Sequence, residues 1–172
     1  MLIRAYGLFW NPEIVDWGSR GAGNRGELFG TVRIGNAQFK IDFWDVYGVY
    51  VLLENFRAVY VGKASRKLLG PRLRDHLTDR FAGRWDMFSW FALSSVRKVQ
   101  RNVRKPGKRQ VTPPILNDTL EALSILVTDA PLNRKRESIP GALLAQQAEN
   151  PHPKTIRKYL EEILEKMDED DD

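Results

Sequence analysis

The stretch that most limits what this chain can become runs from Gly48 to Leu77, GVYVLLENFRAVYVGKASRKLLGPRLRDHL. Val49-Tyr50-Val51-Leu52-Leu53 and Arg57-Ala58-Val59-Tyr60-Val61 are β-branched and aromatic runs on either side of the polar pair Glu54-Asn55, the pattern of a β-hairpin. A three-residue loop from Glu54 to Phe56 pairs Leu53 with Arg57 and sets Tyr50 directly across from Tyr60, on one face of the ribbon. Gly62 ends the second strand. A basic segment over residues 66–79 follows, with Leu68, Leu69, Leu73 and Leu77 spaced for the buried stripe of a helix. Met87 to Leu93 reads as a third strand. These elements predict an α+β core, a small sheet of one hairpin and a third strand flanked by helices.

Three short motifs within this core resemble the signatures of the GIY-YIG nuclease family. Gly48-Val49-Tyr50 stands for the first, Tyr60-Val61-Gly62 for the second, and Arg72-Leu73-Arg74-Asp75-His76 for the Arg-x-x-x-His of the helix after the hairpin. Each triplet alone is an ordinary strand sequence; it is their order and spacing that carry the likeness. Downstream, Glu121 in a predicted helix and Asn133 in Ala130-Pro131-Leu132-Asn133 stand where the family also places a Glu and then an Asn. The resemblance spans roughly residues 46–136. The interval from Tyr60 to Arg72 is longer than in the shortest members.

Composition narrows the remaining classes. A chain of 172 residues with 42% hydrophobic and 28% charged residues can bury a real core. It has no cysteine, which removes disulfides and thiolate zinc sites and suits a reducing, cytoplasmic setting. Its two histidines, His76 and His152, argue against a His-rich metal site. No apolar run reaches the length of a membrane span, and the opening MLIRAYGLFWNPE lacks the form of a signal peptide. Of the 27 basic and 22 acidic residues, eight acids and one lysine lie from Glu161 onward, which leaves the first 160 residues with 26 basic against 14 acidic side chains, or +12. A body that basic favours a polyanionic partner. The acidic end reads as a solvated tail, and competition with nucleic acid for the basic face is its alternative use.

The domain organisation expected from these patterns is a β-rich extension over residues 1–45, the core over 46–136, a helical extension over 137–167 and an acidic tail over 168–172. Gly21-Ala22-Gly23-Asn24-Arg25-Gly26 matches G-x-G-x-x-G literally. It precedes the strand-like Leu28–Ile34 rather than a helix, so the dinucleotide-binding reading is rejected, and the loop is expected to be flexible with Arg20 and Arg25 available to touch phosphate. Residues 28–34 and 37–44 form a hairpin about Gly35-Asn36, with Phe39, Ile41 and Phe43 inward. This hairpin either lengthens the core sheet or packs on it. Val96 to Gln110 holds seven cations and no acid: Arg97, Lys98, Arg101, Arg104, Lys105, Lys108 and Arg109. Val96, Val99 and Val103 give it a helix-like apolar edge, and the cations are expected to touch phosphate. Ile115 to Val127 reads as a core helix, with Glu121 among its apolar residues. Lys154 to Met167 reads as a last helix with one apolar face.

For phosphodiester hydrolysis an enzyme must deprotonate water, neutralise charge building on the phosphoryl group and stabilise the leaving oxygen. Arg72, planar and always charged, suits the non-bridging oxygens, and Glu121 supplies a hard oxygen ligand for one divalent ion, Mg²⁺ or Mn²⁺. The resemblance implies that Tyr50 is the general base and that Tyr60 positions water or phosphate. Lys63, Arg72 and the ion would assist Tyr50. His76, one turn after Arg72, would hydrogen-bond into the site, and Asn133 would orient the Glu121 helix. The resemblance therefore implies a metal-dependent DNA endonuclease leaving a 3′-hydroxyl and a 5′-phosphate, monomeric or homodimeric, with RNA as a further possible substrate. The alternatives are a non-cleaving nucleic-acid-binding module on the same fold and an interaction subunit of a larger DNA-processing assembly.

Overall fold

The computed structural model describes residues 2–18, 25–108, 111–128 and 138–150. The hairpin foreseen from the sequence is present at one edge of the sheet, formed by β4 (Gly48–Glu54) and β5 (Arg57–Ala64). On the other side of β4 lies β6 (Met87–Ala92), antiparallel, with Tyr50 opposite Trp90. β4 is thus an interior strand buried on both faces, which is why it reads as an unbroken apolar run rather than an alternating one. β5 is an edge strand, and its Arg57, Val59, Val61 and Lys63 are exposed.

The hairpin register differs from the sequence expectation. The turn is the two-residue Asn55-Phe56, with Glu54 paired to Arg57 and positive φ at both turn residues (50° and 64°). That is the handedness a tight hairpin requires. Val59 is then an extra residue between the pairs Leu53–Ala58 and Leu52–Tyr60, so that Tyr50 faces Gly62 and not Tyr60. A β-bulge of one residue moves the register without turning Tyr60 to the opposite face from Tyr50.

The N-terminal segment lengthens this sheet. β1 (Ala5–Trp10) pairs antiparallel with β6, Tyr6 opposite Phe91. β2 (Phe29–Ile34) and β3 (Ala37–Asp42) form the expected hairpin about Gly35-Asn36. The link between them is β9 (Leu143–Gln147), parallel to β1 at its start and antiparallel to β2 at its end. The sequence pattern instead assigns residues 143–147 to a helical extension. The last helix of that extension, residues 154–167, lies outside the described residues. Among the described residues the order is β3-β2-β9-β1-β6-β4-β5.

Among the described residues, two α-helices cover the two faces. α1 (Leu69–Asp75) seals the face that carries Tyr50 and Leu52, in one cluster with Trp10, Phe43, Trp44, Phe88 and Trp90. It is shorter than the expected 66–79. A helix begun at Arg66 would drive the Pro71 ring into the carbonyl of Lys67, whereas Pro is tolerated in the first turn. No side chain caps it; the Leu69 and Gly70 amides donate to the Val46 and Trp44 carbonyls instead (3.1 and 2.9 Å), which satisfies two of the donors a helix start leaves open. Burying Leu69 and Leu73 completely supplies about 1.5–3 kcal/mol each.

α2 (Pro113–Thr128) lies on the opposite face, where Ala122 packs with Val51, Leu53, Phe91 and Tyr6. Its apolar content predicts a core helix, but only Thr119 and Ala122 are buried, and Leu116 and Leu120 are exposed. The basic segment is not helical either. β7 (Ser95–Arg97) and β8 (Asn102–Arg104) pair, with Val96 opposite Val103. Val103 enters the core, Val99 is 89% exposed at the tip, and Arg101 takes φ 52° in the turn. The Arg101 carbonyl accepts from the Asp42 amide at the end of β3.

Candidate functional site

The two signature glycines are explained by steric need. A Cβ at Gly48 would run into the Phe91 carbonyl oxygen of β6, with the carbonyl carbon at 3.0 Å. A Cβ at Gly62 would lie 2.7 Å from Tyr50 Cε1 and closer still to its Cζ and hydroxyl. The Tyr50 ring lies over the bare backbone of Gly62. Its hydroxyl is thereby carried across β5 toward α1.

There it meets His76, the residue that ends α1. Tyr50 Oη and His76 Nε2 are 2.7 Å apart, with Tyr50 fully buried and His76 2% exposed. On the far side of the imidazole, Nδ1 lies 2.6 Å from Asp79 Oδ2. Asp79 is held in turn by the Phe81 amide, which donates to its other oxygen at 2.8 Å. Tyr60 packs beside both groups, its ring centroid 6.1 Å from Tyr50 and 5.3 Å from His76. Phe81 covers Tyr60 and His76 at 4.5 and 5.3 Å. Arg80 sits over Phe81 at 4.8 Å.

The electrostatics follow from this packing. Burial pushes the Tyr50 hydroxyl up to about 12; the Arg72 guanidinium beside it opposes the shift, and Tyr60 adds to it. Tyr50 therefore holds its proton throughout the neutral range. The Asp79 carboxyl is held below its usual value, because the Phe81 amide and His76 outweigh the burial that acts against them. Arg72 reaches the Tyr50 hydroxyl from the middle of α1 and keeps its charge against partial burial. Its Nε–H is buried without a partner among the described residues, as is the Trp90 indole N–H.

No protein-family model matches this chain, and neither does any curated protein or any solved structure. The grouping of the side chains is therefore what bears on function.

Tyr50, Tyr60, Arg72 and His76, which stand out in the sequence, are brought together. Glu121 is not with them. It is exposed on α2, a helix packed on the Val51–Leu53 face, whereas the tyrosines occupy the face covered by α1. Lys63 is also on the α2 side, lining a cavity of about 390 Å³ with Val49, Leu116 and Leu120. Among the described residues no group of three or more His, Asp or Glu side chains is placed to hold an ion. The carboxylates nearest the tyrosines are engaged, Asp75 with Lys67 at 2.7 Å and Asp79 with His76. The described residues thus do not form a cage for Mg²⁺ or Mn²⁺ beside Tyr50. Asn133 and Arg109 lie outside the described residues.

The basic hairpin β7–β8 stands apart from the tyrosines, against β3. Arg97, Lys98, Arg101, Arg104, Lys105 and Lys108 are all exposed. Lys98 lies over Phe39 and Lys105 over Tyr47, each 5.8 Å from the ring centroid. Arg97 bonds Asn102 across the strands at 2.9 Å. Sequence reasoning missed Asp79, Arg80 and Phe81. The signal was present for Asp79, an acid three residues after His76, where a residue one turn on can reach back.

Proposed function

We propose that the chain is a phosphodiester hydrolase of the GIY-YIG type, an endonuclease acting on DNA. The observation that carries this reading is the convergence of Tyr50, Tyr60, Arg72 and His76, separate in sequence, on a single cluster under α1. A packed core has no need for a permanently charged guanidinium beside a tyrosine-histidine hydrogen bond. The guanidinium is only partly buried, and a phosphate group is the bidentate acceptor that suits it.

Each residue then has a chemical task. Arg72 binds a non-bridging phosphate oxygen and offsets the charge that grows on the phosphoryl group. Tyr60, half-buried at the mouth of the cluster, positions water or phosphate. Tyr50 carries a proton, so it passes that proton on rather than acting as a free phenolate. Water gives its proton toward the Tyr50 oxygen as the Tyr50 proton moves to His76 Nε2, at 2.7 Å. The divalent ion implied by the family resemblance has no ligand set here among the described residues, and no step is assigned to it. Arg80 near the mouth and the exposed cations of β7–β8 offer phosphate contacts along a bound strand.

A second reading, a nucleic-acid-binding module that does not cut, draws on one observation. The Tyr50 hydroxyl is closed off from solvent by its neighbours. Plasmid nicking separates the two readings. The nuclease reading expects supercoiled DNA to be nicked in Mg²⁺ or Mn²⁺, and Arg72→Ala to remove that activity. The binding-module reading expects DNA binding with no nicking in either ion.

A further inference from the structure

The Tyr50–His76 hydrogen bond has two possible directions, and the group that decides between them is Asp79. The Asp79 carboxylate is an acceptor only, and Nδ1 lies 2.6 Å from its Oδ2. Nδ1 must therefore carry a proton. In a neutral imidazole that leaves Nε2 as an acceptor, facing the Tyr50 hydroxyl at 2.7 Å. Tyr50 O–H then donates to His76, and its oxygen lone pairs turn toward Arg72. With the opposite tautomer His76 would donate to Tyr50, and the hydroxyl could not hand on its proton.

We propose that Asp79 is a positioning residue that fixes His76 as the Nδ1–H tautomer and so points the Tyr50 proton at Nε2. This rests on the nuclease reading for its catalytic consequence but not for its geometry. Asp79 is well built for the task. Its Oδ1 is taken by the Phe81 amide at 2.8 Å, which holds the carboxylate plane and leaves Oδ2 for the imidazole. His76 cannot turn away. Its ring is enclosed by Tyr50, Tyr60 and Phe81, and its carbonyl accepts from the Trp85 indole. The ionisable groups around the ring are Tyr50 from β4, Tyr60 from β5, Arg72 from α1 and Asp79 from the turn after it, with Arg80 next to Asp79. Asp79 is the one negative charge in direct contact with the ring among the described residues.

The test is Asp79→Asn in the full chain. Asn keeps an oxygen for the Phe81 amide, so it presents its NH₂ to Nδ1, which then must accept and move its proton to Nε2. Long-range ¹H–¹⁵N spectra of ¹⁵N-histidine protein report the tautomer directly. His152→Gln removes the other histidine signal. The expected result is Nδ1–H in the parent and Nε2–H in Asp79→Asn. A parent with Nε2–H, or a variant still holding Nδ1–H, overturns the proposal. Nicking is read in parallel. Asp79→Asn should lower the rate roughly 10- to 100-fold, the range for loss of a partner that orients an imidazole, with DNA affinity unchanged. A reversed tautomer with undiminished nicking overturns the catalytic role. A parent chain that never nicks removes the nuclease reading, while the spectra still decide whether Asp79 sets the tautomer.

Discussion

Gly62→Ala is the smallest change that tests how the cluster is built. The added Cβ falls 2.7 Å from Tyr50 Cε1 and nearer to Cζ and the hydroxyl, against an ordinary carbon-carbon contact of about 3.5–4.0 Å. Tyr50 is fully buried, with Trp90 opposite it on β6, and cannot give way freely. Overpacking of this kind costs about 1–3 kcal/mol. Displacing the hydroxyl also breaks its bond to His76 and leaves a buried acceptor unpaired, a further ~1–3 kcal/mol. The variant should therefore lose about 2–6 kcal/mol of unfolding free energy, a sum of those two effects. Urea denaturation followed by tryptophan fluorescence measures it. Gly35→Ala is the control. It has open space around the site but φ of +61°, so it should lose only about 1–2 kcal/mol from the left-handed backbone. A Gly62→Ala midpoint equal to that of the parent would show that Tyr50 does not lie over Gly62 and would undo the geometry argued above.

Other perturbations reach different parts of the account. Tyr50→Phe should cost about 1–3 kcal/mol by leaving His76 and Arg72 without the hydroxyl, and Tyr60→Phe less, since Tyr60 as a residue is only half-buried, both read by urea denaturation. Because burial raises Tyr50 from 10.0 to about 12, its contribution to stability is complete below pH 10 and lost as pH rises through 12. Denaturation midpoints from pH 8 to 12 should show that fall, and Tyr50→Phe should reduce it. Glu121→Ala should change stability by less than about 0.5 kcal/mol, because the side chain is exposed on α2; a larger thermal shift would place it in a packed site. Changing Arg101, Arg104 and Lys105 together to Gln should weaken duplex binding for all sequences alike and flatten the slope of log affinity against log salt by about 0.9 for each phosphate ion pair removed. Filter binding over a salt series reads this, and an unchanged slope returns β7–β8 to an ordinary solvated face.

The parts of this fold that could be read from the sequence are those set by local pattern. β4, β5 and β6 were evident because their apolar and aromatic runs are bounded by Glu54-Asn55 and Gly83, although β5 runs through Gly62, where the sequence pattern ends it, to Ala64. The register was not, because Phe56 takes a left-handed conformation that turn rules reserve for Gly or Asn. That ring rests 5.4 Å from Phe9, a partner far away in sequence. β9 was missed for a related reason. Leu143–Gln147 is a strand by virtue of the edges of β1 and β2 on either side of it, and its own five residues carry little signal. Helix α2 was placed well in sequence, but its apolar stripe is too broad to say which side packs. The face carrying Glu121 therefore stayed open. The tyrosine cluster was half legible. Tyr50, Tyr60, Arg72 and His76 stood out by motif, while Asp79 and Phe81 enter only because the chain turns sharply after α1 and brings them back over His76.

The central claim is that these side chains cut a phosphodiester bond, and single-turnover nicking of supercoiled plasmid at saturating chain tests it most directly. The account predicts nicking by the parent in Mg²⁺ or Mn²⁺ and a rate lower by about 10²–10⁴-fold in Tyr50→Phe, the usual span for loss of a proton-transfer group. Arg72→Ala should lose activity as well, with both variants still folded by circular dichroism. Nicking undiminished in both variants, or none by the parent with either ion, would contradict it.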